Sequence, residues 1–271
     1  MVCSVPEVRV LPLNKLSWEP EGDFVLYWMV AYRRPYWNFA LQHAVEQANA
    51  LGKPLVILEA LRCDYDWASA RFHAYILEGM RDNKQTFASS AAMYFPFVEC
   101  VLGEGKGLLK ALAARSCGVV SDAYPGFFIP RMQRLAAETL GRVLELVDSN
   151  GLLPLQAAEK TYTTAYSFRR FLHKKLPEHI LELPMADPLS ELTVSARALD
   201  LSAIFSRWSP ADDDLMSTDA SNLSRFPVNH EVHPVKGVCG GWKAANVQWE
   251  AFLEERLEHY EEARNHPDDR G

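Results

Sequence analysis

Few side chains in this sequence are spaced for chemistry. Residues 103–107 read GEGKG ahead of a helical pattern, and glycines at such a point let backbone N–H groups approach an anion such as phosphate. The segment lacks a Ser or Thr after Lys106 and does not match G-x-G-x-x-G, so it reads as an ordinary strand-to-helix turn. His230 and His233, in NHEVHP, have a separation that could serve a metal, but Pro234 and the loop setting offer no helix to align them, and the ligand count falls short. Asp212, Asp213 and Asp214 read as a solvated acidic run rather than a general acid/base pair. Ser149 lies on a loop after a strand, and no G-x-S-x-G elbow is present. No catalytic residue and no metal site is therefore assigned. Cys3, Cys63, Cys100, Cys117 and Cys239 are odd in number and scattered, as expected for reduced thiols in a cytoplasmic protein.

The elements that would position a ligand are clearer. The run Phe24 to Val30 is short, continuous and apolar, as in a strand covered on both faces. A helical pattern then runs from Trp37 to Leu51 and closes at Gly52. The alternation continues through PLVILEAL, a helix from about Trp67 to Ala88, YFPFVECVL, the helix GLLKALAARS, CGVVSDA, a helix from about Ile129 to Leu140, and RVLELVD. Five strands alternating with four helices predict an α/β fold with a doubly wound, five-stranded parallel sheet of Rossmann-like type, because right-handed crossovers return each strand parallel to the last. In such a sheet the ligand crevice opens at the carboxyl ends of the strands where the order reverses. That places the candidate cofactor-binding residues just after the first and fourth strands: Met29, Arg33, Arg34 and Asn38 on one side, Asp122 and Tyr124 on the other. Trp37 and Asn38 read equally well as helix-core and helix-cap residues.

The organisation expected along the chain is an α/β domain over residues 1–182, a Pro- and Asp-rich linker with little core of its own over 183–240, and the first helix of a second domain over 241–271. In that last helix Trp249, Phe252, Leu253, Leu257 and Tyr260 form one apolar stripe, which needs a surface to cover. With 48% hydrophobic and 23% charged residues the chain is an ordinary globular one, not a disordered or collagenous one. Its net charge of −7 gives it no general attraction to nucleic acid or anionic membrane, so any such contact needs a local basic patch. No apolar run approaches membrane-spanning length, and the first residues lack the pattern of a secretory signal.

Five segments, in order, resemble the DNA photolyase/cryptochrome family, most closely the amino-terminal part of class II-like photolyases. They are YWMVAYRRPYWNFAL from Tyr27, SARFHAYILEGM from Ser69, VVSDAYP from Val119, VDSNGLLPL with KTYTTAYSFRR from Val147 to Arg170, and GGWKAANVQWEAFLEERLEHYEEARNHP from Gly240, which carries Arg264, Asn265 and Pro267. The resemblance implies a Rossmann-like domain that holds an antenna chromophore, a deazaflavin or a folate. It also implies a following helical domain that binds FAD, contacts damaged DNA and repairs pyrimidine dimers in light. On this reading the flavin domain is missing after Gly271. FAD and DNA would then be met only through a separate flavin-domain polypeptide docking on Trp249, Phe252, Leu253 and Tyr260, with no part for a membrane, and no catalytic residue can be carried over. The family pattern has Arg-Asp after the Trp-Met strand and Asp before the helix Asn, where this chain has Ala31-Tyr32 and Trp37. Tyr32, Tyr36 and Trp37 could fill the crevice or offer a stacking surface to a chromophore. The competing readings are a scaffold or interaction remnant with an empty crevice, and a stand-alone Rossmann-like nucleotide or small-ligand module with no part in repair.

Overall fold

The computed structural model describes residues 4–158 and 160–266, so Cys3, Pro267 and the last residues to Gly271 lie outside the described part. Six strands form one sheet: β1 (Val10–Pro12), β2 (Phe24–Met29), β3 (Leu55–Leu61), β4 (Met93–Val98), β5 (Ser116–Asp122) and β6 (Leu144–Val147). Their order is β1-β6-β5-β2-β3-β4. The five expected parallel strands are all present, and β2 and β5, the first and fourth of them, are neighbours. The order therefore reverses between β2 and β5, as a doubly wound sheet requires. The sixth strand, β1, is an added antiparallel edge pairing Val10 with Val147. It is only three residues long and ends at Pro12, which suits an edge because proline cannot donate to a further ladder.

Helices α1 (Phe39–Leu51), α2 (Ala70–Phe87), α3 (Leu108–Arg115) and α4 (Ile129–Thr139) follow β2 to β5 in turn. Their ends are chemically specified. The Asn38 side chain accepts hydrogen bonds from the N–H groups of Ala40 and Leu41 at the start of α1, and Gly52 ends it with φ 63°. Strand β2 shows why both faces must be covered: Phe24, Leu26 and Trp28 enter one core cluster, and Val25, Tyr27 and Met29 enter the other. The alternation is that of a strand, with neither face left to water.

The 183–240 segment departs from expectation, because it is not poor in core. Leu201, Ile204 and Trp208 join the core on one face of the sheet, Leu189 and Leu192 join that on the other, and Ala211, Met216, Leu223 and Phe226 form a third cluster with Leu77 and Met80 of α2. Short helices α6 (Ser202–Phe205) and α7 (Ala220–Leu223) lie within it. Its apolar residues are spaced irregularly because it straps the domain's outside rather than forming one amphipathic element. Helix α5 (Ala165–His179), unassigned by the pattern reading, precedes it and buries none of its residues. The terminal helix is also shorter than its stripe predicts. Helix α8 (Trp242–Glu255) ends at Arg256, and one 3₁₀ turn separates it from α9 (Tyr260–Ala263). No helix among the described residues is long and apolar enough to cross a membrane.

Candidate functional site

At the point where the strand order reverses, the crevice is filled by the chain's own groups. Asp122, at the end of β5 and fully buried, accepts hydrogen bonds from the Tyr27 hydroxyl at 2.6 Å and from the backbone N–H groups of Val30, Ala31 and Tyr32 at 2.7, 2.7 and 3.0 Å. Burial raises its carboxyl above the ordinary range, and these four donors oppose that rise. Tyr32 is itself buried and donates to the Ala123 carbonyl at 2.7 Å, closing the space between the two strand ends. Asn38 donates to the Tyr27 hydroxyl and to the carbonyls of Tyr32 and Arg34 while its oxygen caps α1. Three aromatics meet different fates: Tyr32 fills the crevice, Tyr36 packs edge-on to Trp242 at 4.9 Å, and Trp37, with φ 51°, stays half exposed.

The six residues expected around one ligand are thus separated. Asn38 and Asp122 are internal braces. Arg34 wraps back onto the carbonyls of Tyr36 and Trp37, and the Tyr124 ring lies over Gly126. Met29 and Arg33 alone line the neighbouring cleft, an opening of about 550 Å³ above the carboxyl ends of β2 and β3. Its walls are Trp28, Ala60 and Leu61 from the sheet, Phe72 and Ile76 from α2, Tyr65 and Trp67 from the loop before α2, and Phe127, Phe128 and Met132 at the start of α4. Arg33 brings the cleft a cation already committed: its guanidinium donates to Glu59 at 3.1 Å and to the carbonyls of Val30 and Ala60. Glu59, fully buried, also accepts from Asn83 at 2.9 Å and from Tyr94 at 2.6 Å. The cleft is lined by six aromatic side chains among aliphatic ones, and its two cations, Arg33 and Arg62, are paired with Glu59 and Asp64.

Two features distinguish this cleft from an incidental hollow. Phe127 takes φ 57°, a left-handed conformation costing a non-glycine residue about 1–3 kcal/mol, and it holds its ring 5.8 Å from Trp67 at the mouth. Both rings are more than half exposed, an unusual state for large apolar side chains in contact. The Tyr65 hydroxyl is shielded from solvent and has no hydrogen-bond partner among the described residues, and burial raises its pKa above the ordinary value. A buried hydroxyl without a partner is costly, so it marks a place where a ligand or water atom is needed. Beneath Tyr65, His73 lies parallel to its ring at 6.3 Å and is fully buried, and burial lowers its imidazole to about 4.

In the GEGKG turn, Glu104 accepts from the N–H groups of Cys100 and Val101, and Glu99 accepts from that of Gly105, so carboxylates occupy the amides a phosphate would use. The start of α2 is likewise covered, with Ala70 and Arg71 donating to the carbonyls of Asn229 and Val232. The His230 ring contacts the Phe226 carbonyl at 2.9 Å. Among the described residues no group of three or more His, Cys, Asp or Glu is placed to hold a metal.

No family model matches the chain. A deoxyribodipyrimidine photo-lyase of Methanothermobacter thermautotrophicus is 28% identical over 264 residues, covering 96% of this chain and 53% of that protein. One of Arabidopsis thaliana is 26% identical over 276 residues, covering 97% and 52%, and one of Oryza sativa subsp. japonica is 27% identical over 276 residues, covering 96% and 50%. Over almost its whole length the chain is similar to deoxyribodipyrimidine photo-lyases. It spans about half the length of the curated relatives it matches. Within this chain, sequence reasoning missed Tyr65, Trp67, Phe72, Phe127 and Phe128. The signal available was the aromatic content of two loops that lie between a strand and a helix, DYDW and YPGFF. The stripe residues Trp249, Leu253 and Tyr260 are exposed on α8 and α9, and Trp249 and Tyr260 both pack on Phe252, at 5.8 and 5.7 Å.

Proposed function

We propose that this chain serves a photolyase-type repair system as the part that holds an antenna chromophore, with FAD and repair chemistry supplied by a separate flavin domain. The observation that carries the reading is the aromatic cleft at the carboxyl ends of β2 and β3, with its unpartnered Tyr65 hydroxyl and its Trp67–Phe127 mouth. A planar heteroaromatic ring fits such walls, because stacking and burial supply the attraction and a single buried polar group sets orientation. Trp67, Phe72, Phe127 and Phe128 would hold the ring, with Tyr65 giving or accepting one hydrogen bond. When bound, a chromophore of this kind supplies light absorption in the near-UV or blue. A nucleotide module is less well supported, since the turn before α3 and the starts of α1 and α2 have amides engaged by the chain itself. The exposed Trp249–Tyr260 face is the place where a flavin-domain polypeptide would dock.

The test is a spectroscopic titration of the purified protein with a deazaflavin and, separately, with a folate. Saturable binding of one of them, weakened about tenfold or more by Trp67→Ala or Phe128→Ala, is the expected result. Absence of binding by both, or affinity indifferent to these substitutions, would overturn the antenna reading. Light-dependent repair after mixing with a relative's flavin domain tests the division of labour.

A further inference from the structure

Helix α5 stands apart from the rest of this acidic protein. From Lys160 to Pro177 the sequence contains five Lys or Arg residues and no Asp or Glu, against a net charge of −7 for the whole chain. Tyr166, Arg169, Arg170, His173 and Lys174 are all exposed and fall at successive spacings of three and one, the i, i+3, i+4, i+7, i+8 stripe of a single helix face. In most surface helices that stripe is apolar and turned inward. Here the inward half is made by Phe171, Leu172 and Leu176, which are half-buried, with Tyr162 stacked on Phe171 at 5.0 Å. Lys175 is already paired with Glu178 at 3.1 Å. Arg169, Arg170 and Lys174 have no ion pair or hydrogen bond from their side chains among the described residues. Unpaired cations on one face repel one another, so the arrangement gains from an anionic partner.

We propose that this outward face of α5 binds the phosphodiester backbone of a nucleic-acid strand, independently of the antenna reading. The charge spacing suits it: the five helical steps from Arg169 to Lys174 rise about 7.5 Å along the helix, close to the axial length of two nucleotides of one strand. The single aromatic ring on the stripe also suits it. Tyr166 is 71% exposed, with the Arg170 guanidinium 6.0 Å over its face, which presents a cation-flanked ring on which a base can stack. A membrane-surface helix would instead carry large apolar side chains between its cations, and on α5 those lie on the inner half. The face is remote in sequence from the aromatic cleft and uses none of its residues, so failure of one reading leaves the other standing.

The test is fluorescence anisotropy of a labelled oligothymidine and of a labelled duplex with the intact chain over a range of salt concentrations. Binding is expected at low salt, with a log–log slope for the single strand of about −2, as three neutralised phosphates predict. Arg169→Glu/Arg170→Glu/Lys174→Glu should weaken binding about tenfold or more and flatten the slope. Lys15→Glu/Lys110→Glu/Lys236→Glu, the same change in net charge at exposed positions elsewhere, should change affinity less than about twofold. The alanine versions of both triples, checked by circular dichroism, guard against loss of helix. No salt-dependent binding to either oligonucleotide, or equal loss in both triples, would overturn the proposal. So would attachment to phosphatidylserine vesicles, or self-association through the acidic α8, abolished by the α5 triple while oligonucleotides stay unbound.

Discussion

Replacing Asp122 by Asn separates a brace from a ligand-binding group. Both carboxylate oxygens face donors only: one takes the Tyr27 hydroxyl, the other takes three backbone N–H groups. Three backbone N–H groups on one oxygen and the Tyr27 hydroxyl on the other favour the ionised form, in opposition to the burial that raises the carboxyl. Hydrogen bonds to a buried charged group contribute about 1.5–3 kcal/mol each. Asparagine keeps one oxygen for the backbone amides but turns an NH₂ group toward the Tyr27 hydroxyl, which already accepts from Asn38 at 3.1 Å. Loss of charge across four bonds plus one donor–donor clash should cost about 3–5 kcal/mol, the range for breaking a buried charged network. With a urea slope of about 3 kcal/mol/M for a chain of this size, the unfolding midpoint should fall by about 1–1.7 M. Tyr27→Phe removes only one of the four bonds and should cost about 1.5 kcal/mol. Because residues 30–32 hang from this carboxylate and Arg33 follows them, the Asn variant should also loosen the wall of the aromatic cleft. A loss below about 1 kcal/mol for Asp122→Asn, or one no larger than that of Tyr27→Phe, would refute the brace.

His73→Phe should be neutral or stabilising at pH 7, because both ring nitrogens are buried without a hydrogen bond of good geometry and the ring packs between Tyr65 and Phe226. Since burial lowers the folded imidazole to about 4, the unfolded chain binds more protons. The stability that neutral His73 permits is complete above the ordinary value of about 6.5 and is lost as pH falls toward 4, by about 3 kcal/mol at most. Urea unfolding at the two ends of that window should show a flatter acid limb in the variant, and identical limbs would count against the argument. Gly22→Ala would place a Cβ within 2.6 Å of the Ser116 carbonyl carbon, a backbone atom that cannot yield, so a loss of about 3 kcal/mol or more is expected in thermal unfolding. Under alkylation at mildly alkaline pH, exposed Cys239 should react first among the described cysteines. Cys63, whose thiol burial and Glu99 push up to about 12, should be labelled only after denaturation, as mass spectrometry of the modified peptides would show.

The sheet was legible in the sequence because its information is local. Continuous apolar runs such as Phe24 to Met29 declare a strand covered on both faces, and helical spacing ahead of Gly52 declares what covers it. The order of five motifs likewise carried the resemblance to photolyases. What the sequence alone could not decide was which polar groups meet. Asp122 and Asn38 stand where a ligand residue would stand, and only the sheet's pairing of β2 with β5 shows them spent on Tyr27 and the 30–32 backbone. The cleft escaped notice because Tyr65, Trp67, Phe72 and Phe127 come from two loops and a helix separated by up to 62 positions, and no periodicity links them. The 183–240 strap looked empty because its core residues face three different clusters, so no single pattern repeats. Local sequence thus settles which elements form, through backbone preference and the burial pattern of each. Long-range packing settles whether a polar or aromatic side chain is a brace or part of a site, because that depends on partners the chain brings together only when it folds.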